Sequence, residues 1–125
     1  MTMAKKILLV DDDPHIVQLL KTRLAASQYE IVTASDGEEG FEKLKAESPD
    51  MVLLDILMPK MDGYGFVLRM KEENLLSKTP VIMLTAKDNM KDLFEMEGVS
   101  DYIVKPFQAA ELLNKIEAVF KKRAG

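Results

Sequence analysis

The chain has 125 residues, 47% of them hydrophobic and 30% charged, with a formal net charge of −4. That is enough for one domain around one core and too apolar for a disordered chain, and the acidic balance disfavours non-specific binding to nucleic acid or an anionic membrane. Without cysteine there is no disulfide, thiolate metal site or thiol nucleophile.

The chain begins basic, in MTMAKK, but the apolar run that follows, Ile7 to Val10, is broken at once by Asp11, Asp12 and Asp13. It is too short for an export signal, and no stretch approaches the roughly 20 apolar residues of a membrane span. A cytoplasmic protein with no membrane association is expected.

Lys6 to Val10 reads as a strand buried on both faces. Asp13 then suits an N-cap and Pro14 a first helical position, before Ile16, Val17, Leu20 and Leu24 at helical spacing. Glu30 to Ala34 is a second strand. Asp36-Gly37-Glu38-Glu39 opens a helix carrying Phe41 and Leu44, in which Gly40 costs about 1 kcal/mol relative to alanine. Met51 to Leu54 is a third strand, ending at Asp55. A loop with Pro59 and Asp62-Gly63 leads to a helix with Phe66, Val67 and Met70. Val81 to Leu84 is a fourth strand, ending at Thr85, and Asp88 to Glu97 reads as a helix stopped by Gly98. Asp101 to Val104 is a fifth strand, ending in Lys105-Pro106, a turn that allows a cis bond. Leu112, Leu113, Ile116, Val119 and Phe120 mark an amphipathic last helix. The basic run Lys121-Lys122-Arg123 closes it and complements the helix dipole.

Five β-α units without linker or repeat predict an α/β protein, a parallel sheet with helices on both faces. In such sheets the ligand site lies beyond the carboxyl ends of the strands. There the chain places Asp11 and Asp12, Asp55, Thr85 and Lys105. Two carboxylates about 4 Å apart repel by roughly 4 kcal/mol at an effective dielectric of about 20, so three in one crevice call for a compensating cation. Hard oxygen ligands suit magnesium, and a carboxylate beside that ion can attack a phosphoryl group to form an acyl phosphate. Taken singly, each residue has an ordinary reading. Asp12 and Asp13 serve as capping or loop acids, Asp55 as a turn acid, Thr85 as a turn hydroxyl, Lys105 as a surface lysine, Tyr102 as core, and His15 as a solvated histidine. Their joint placement at the strand ends is the signal.

The segments ILLVDDDPH, DMVLLDILMPKMDGYGF, PVIMLTAK and DYIVKPF, in that order, resemble the receiver domain of two-component response regulators, the CheY-like family. The resemblance covers essentially the whole chain and implies a flavodoxin-like (βα)5 three-layer sandwich with strand order 2-1-3-4-5. It implies a single receiver domain over residues 1–125, with a core of about 5–122. By position, Asp55 is similar to the phosphoacceptor, and Asp11 and Asp12 to the acidic magnesium pair. Leu57 is similar to the residue that gives a backbone carbonyl to the metal, Thr85 to the switch hydroxyl, Lys105 to the lysine that pairs with the phosphoryl group, and Tyr102 to the aromatic switch residue. The partners implied are a sensor histidine kinase or phosphotransfer protein and an unknown downstream protein target, with no direct nucleic-acid contact. A monomer or weak phosphorylation-dependent dimer is expected. The segment from Thr85 to Lys105 is slightly shorter than usual in the family, before Gly98, on the side most receivers use for output.

Three other readings compete with this one. A magnesium-dependent aspartyl-phosphate hydrolase of the haloacid dehalogenase type would carry Asp-x-Asp, whereas Asp55-Ile56-Leu57 has no second acid. A flavodoxin-like cofactor binder needs a Ser/Thr- or Gly-rich phosphate loop where this chain has three acids. An unphosphorylated interaction module would lack an acceptor, a metal acid or the lysine, and all are present. No turnover of an external substrate is expected. A stand-alone receiver and a domain of a longer regulator both remain open.

Overall fold

The computed structural model describes residues 4–58, 60–86 and 98–124. Five strands, β1 (Lys6–Val10), β2 (Glu30–Ala34), β3 (Met51–Asp55), β4 (Val81–Ala86) and β5 (Asp101–Lys105), form one sheet in the order β2-β1-β3-β4-β5. Every pairing is parallel. Helices α1 (Pro14–Ala26), α2 (Gly37–Glu47), α3 (Gly63–Glu72) and a C-terminal helix (Ala109–Ala124) cover it. The helix expected over Asp88–Glu97 lies outside the described residues. Gly98, expected to stop it, has a φ of 92°.

Alternation along the strands divides the core in two. Leu8, Val10, Val52, Leu54, Val81 and Met83 pack with Phe41 and Leu44 of α2 and Phe66, Val67 and Met70 of α3. On the other face Ile7, Leu9, Met51, Leu53, Ile82, Leu84 and Ile103 pack with Leu20 and Leu24 of α1 and Leu112, Ile116 and Val119 of the C-terminal helix. All five residues of β3 are buried, as a strand covered on both faces must be. Each fully buried Leu or Ile contributes about 1.5–3 kcal/mol. The rings of Phe41 and Phe66 meet edge-on at 5.3 Å.

Three helices start on an aspartate. Asp13 accepts from the His15 amide at 2.9 Å, Asp36 from Glu39 at 2.8 Å and Asp62 from Gly65 at 2.8 Å, each such cap adding about 1 kcal/mol. So the third acid of the Asp11-Asp12-Asp13 run is a cap. Gly40 shows why α2 tolerates a poor helix former: a Cβ there would lie 2.9 Å from both γ-carbons of Val10 and 3.2 Å from Phe66. Close approach of α2 to β1 offsets the weaker helix propensity. His15 is exposed, as expected.

Candidate metal and phosphoacceptor site

β1 and β3 are direct neighbours, with Val10 opposite Leu54, so Asp11 and Asp55 emerge side by side at the carboxyl edge. Donor oxygens of Asp11, Asp12 and Asp55 all lie within 4.8 Å of one another. β5 stands beyond β4, and Lys105 reaches back across that strand. Its Nζ lies 2.9 Å from Asp11 Oδ2 and 3.5 Å from Asp55 Oδ1. The other oxygen of Asp11 accepts the Asp13 amide at 2.9 Å, so Asp11, although buried, has a partner on each oxygen. The Lys105–Pro106 bond is cis.

Among the described residues three carboxylates thus face one ammonium, and the imbalance falls on Asp55. Its carboxyl is pushed up to about 6, by burial first and then by the negative charge of Asp11, with Asp12 adding to it and Lys105 pulling the other way. Burial alone would lower the pKa of Lys105. The hydrogen bond and charge of Asp11, followed by those of Asp55, outweigh burial and raise it.

The donor set fits a small hard cation. Oxygens opposite one another on a magnesium ion are about 4.2 Å apart, so carboxylates already grouped within 4.8 Å need little movement to share one. A divalent charge would also offset the negative charge of Asp11 and Asp12 that, after burial, raises Asp55. Leu57 lies two residues past Asp55 in the bend that follows β3, with its side chain exposed.

Thr85 is fully buried and its hydroxyl donates to the Ala86 carbonyl at 3.0 Å. Alternation places Thr85 on the Met83 face of the sheet, the face on which Tyr102 packs. Lys105 belongs to the opposite face, with Ile103. The two residues therefore flank the rim from opposite sides. An arrangement the sequence did not announce is the Asp36–Lys60 ion pair at 3.6 Å, which ties α2 to the loop after β3. Asp36 was legible as part of a helix start, but no spacing rule relates it to position 60.

The chain matches the sequence model of the response regulator receiver domain over residues 7–117. It belongs to that family. Among curated relatives, the receiver is 41% identical over 122 residues to the alkaline phosphatase synthesis transcriptional regulatory protein PhoP of Bacillus subtilis, covering 96% of this chain and 50% of the relative. It is 45% identical over 120 residues to the probable transcriptional regulator ycf27 of Guillardia theta, covering 94% of this chain and 46% of that protein. The chain therefore spans about half the length of these curated relatives. Among solved structures, the Francisella response regulator 1452 receiver domain superposes with a TM-score of 0.87 at 30% identity, covering 95% of this chain and 98% of that one. The response regulator TrrA of Thermotoga maritima, solved in complex with Mg(2+)-BeF, gives 0.82 at 35% identity, covering 92% and 98%. Receiver domains are signalling proteins, and their family binds magnesium at an acidic pocket of this kind. Among the described residues no helix is long and apolar enough to cross a membrane.

Proposed function

We propose that this receiver is a phosphorylation-dependent switch in which Asp55 accepts a phosphoryl group from a sensor histidine kinase or phosphotransfer protein. The observation that carries the reading is the convergence of Asp11, Asp12 and Lys105 on the Asp55 carboxylate at the end of a fully buried strand. A carboxyl with a pKa of about 6 is about 90% ionised at pH 7, so the nucleophile is available without a separate base. One Asp55 oxygen attacks phosphorus. The bond from phosphorus to the donor's imidazole nitrogen breaks, its electron pair stays on nitrogen, and an acyl phosphate remains on Asp55.

Asp11, Asp12, Asp55 and the backbone carbonyl of Leu57 are the residues that would hold Mg2+. When bound, that ion offsets the negative charge of the phosphoryl oxygens. Lys105, already between Asp11 and Asp55, transfers part of its pairing to a phosphoryl oxygen. Thr85 exchanges its bond to Ala86 for one to the phosphoryl group, and Tyr102, on the same face of the sheet, follows. The result is a population shift toward a state with an altered face near β4, β5 and the C-terminal helix. That face would meet a downstream protein target, as a monomer or a weak phosphorylation-dependent dimer. We place the receiver in the cytoplasm, where such donors act, and treat residues 1–125 as one receiver unit with a core of about 5–122. The relatives' names support gene expression as the output, with any DNA contact made outside the matched region.

The test is to mix the protein with magnesium and a small acyl phosphate and to measure intact mass. One added phosphoryl group is expected on the wild type and none on Asp55→Asn. Labelling that survives unchanged in the variant would reject Asp55 as the acceptor.

A further inference from the structure

The loop from β3 into α3 carries Leu57, and α2 grips that loop from outside. At its base the loop is closed by the Gly63 amide, which donates to the Ile56 carbonyl at 2.7 Å. Its outer half rests on Gly37, the first residue of α2. A Cβ at position 37 would lie 2.0 Å from the Met61 carbonyl oxygen and 2.6 Å from Met61 Cβ. No side chain fits there. One residue earlier, Lys60 Nζ lies 3.6 Å from Asp36 Oδ2. Asp36 is itself immobilised, since its other oxygen caps Glu39 at 2.8 Å. Lys60 keeps this contact at a φ of 70°, a backbone region that favours glycine. Leu57, by contrast, is 62% exposed and its side chain gives the loop little anchorage.

We propose that Gly37, Asp36 and Lys60 form a clamp that positions the β3–α3 loop for metal binding, and are positioning residues for the site. This rests on the reading that the acids and the Leu57 carbonyl hold Mg2+. With the clamp intact, the loop ligand is ordered before the ion arrives. With the clamp broken, ordering is charged against affinity.

The experiment titrates Mg2+ alone into the full chain by calorimetry, with thermal melts of each variant in EDTA. Gly37→Ala, which must displace Met61, should weaken Mg2+ binding by about tenfold, as loss of an outer support of a metal ligand does. Lys60→Gly should weaken it by about threefold, because the Lys60 end of the ion pair is exposed, while the metal-free melting temperature holds or rises. That opposition separates positioning from plain stability. Leu44→Ala, which removes core packing on the same helix away from the loop, should lower the melting temperature and leave Mg2+ affinity unchanged. If Gly37→Ala fails to fold, Lys60→Gly decides. Unchanged affinity in the variants, or tighter binding in Lys60→Gly as simple removal of a positive charge would give, overturns the clamp. A wild type whose Mg2+ binding is absent, or insensitive to Asp12→Asn, overturns the metal-site reading instead.

Discussion

Asp55 is held at a cost that a single substitution should reveal. Its ordinary pKa of 3.8 is raised to about 6 in the folded chain, chiefly by burial and the charge of Asp11. The folded state therefore binds this proton more tightly than the unfolded state does. Stability from that preference is complete below about pH 4 and is lost as pH rises through about 6. A shift of about 2 units corresponds to about 3 kcal/mol of destabilisation above pH 7. Little solvent discount applies, since the Asp55 side chain is only 12% exposed. Asp55→Asn removes the charge and keeps the shape, and Lys105 retains Asp11 at 2.9 Å.

In EDTA at pH 7.5 the variant should be more stable than the wild type by up to about 3 kcal/mol, or roughly 3–5 °C of melting temperature per kcal/mol for a domain of this size. The advantage should shrink through pH 6 and vanish near pH 4. Lys105 titrates far above this window and does not contribute to the slope. Urea melts of both proteins between pH 4 and pH 8 give the difference directly. A variant less stable than wild type at pH 7.5, or a difference flat across the range, would refute the argument that charge crowding at Asp55 is uncompensated.

Two further outcomes follow from the same geometry. Lys105→Met leaves buried Asp11 without its ammonium and should cost about 1–3 kcal/mol in urea at pH 7.5, discounted from a fully buried pair because Lys105 is 23% exposed; NMR titration of the Asp55 carboxyl should show its pKa rising further, since Lys105 pulls it down. Added Mg2+ at about ten times its dissociation constant should raise the stability of the wild type by about 1.4 kcal/mol, and Asp12→Asn should lose most of that gain in the same thermal melts; an unchanged wild-type melting temperature would count against the metal site.

The sheet was legible because both of its signals are local. Short apolar runs such as Met51 to Leu54 can be covered only on two faces, and the helices between them force parallel neighbours. The strand ends at Asp55, Thr85 and Lys105 are displaced by one or two residues, because pairing continues through the site residues themselves: Asp55 lies opposite Leu84, and Ala86 opposite Lys105. Gly40 looked like a weakness in α2 and proved to be a contact, since propensity describes an isolated helix and the Val10 side chain belongs to another strand. The grouping of Asp11, Asp12 and Asp55 was legible from the rule of carboxyl ends. What the sequence could not supply was how the charge is shared. The reach of Lys105 across β4, the amide of Asp13 on Asp11, and the tie from Asp36 to Lys60 depend on side-chain directions over long sequence separations.

That sharing is uneven in a way that bears on the proposed chemistry. Asp11 is the most deeply buried of the acids, yet Lys105 serves one of its oxygens and a backbone amide the other. Asp12 is exposed, and water screens it. Among the described residues, Asp55 has only the longer contact to Lys105 at 3.5 Å, and little solvent. Had the lysine and amide served Asp55 instead, its carboxylate would be better stabilised, and a poorer nucleophile for it. Under-compensation at one carboxylate, with Asp11 satisfied and Asp12 solvated, raises its pKa only to about 6, so the oxygen is still ionised at neutral pH and its lone pairs are free of strong donors among the described residues. The same deficit would draw a divalent cation to the side of the pocket where, on the proposed function, the phosphoryl group would arrive. Metal binding and acceptor reactivity then have one electrostatic origin, and a substitution that repairs the first deficit should be expected to blunt both.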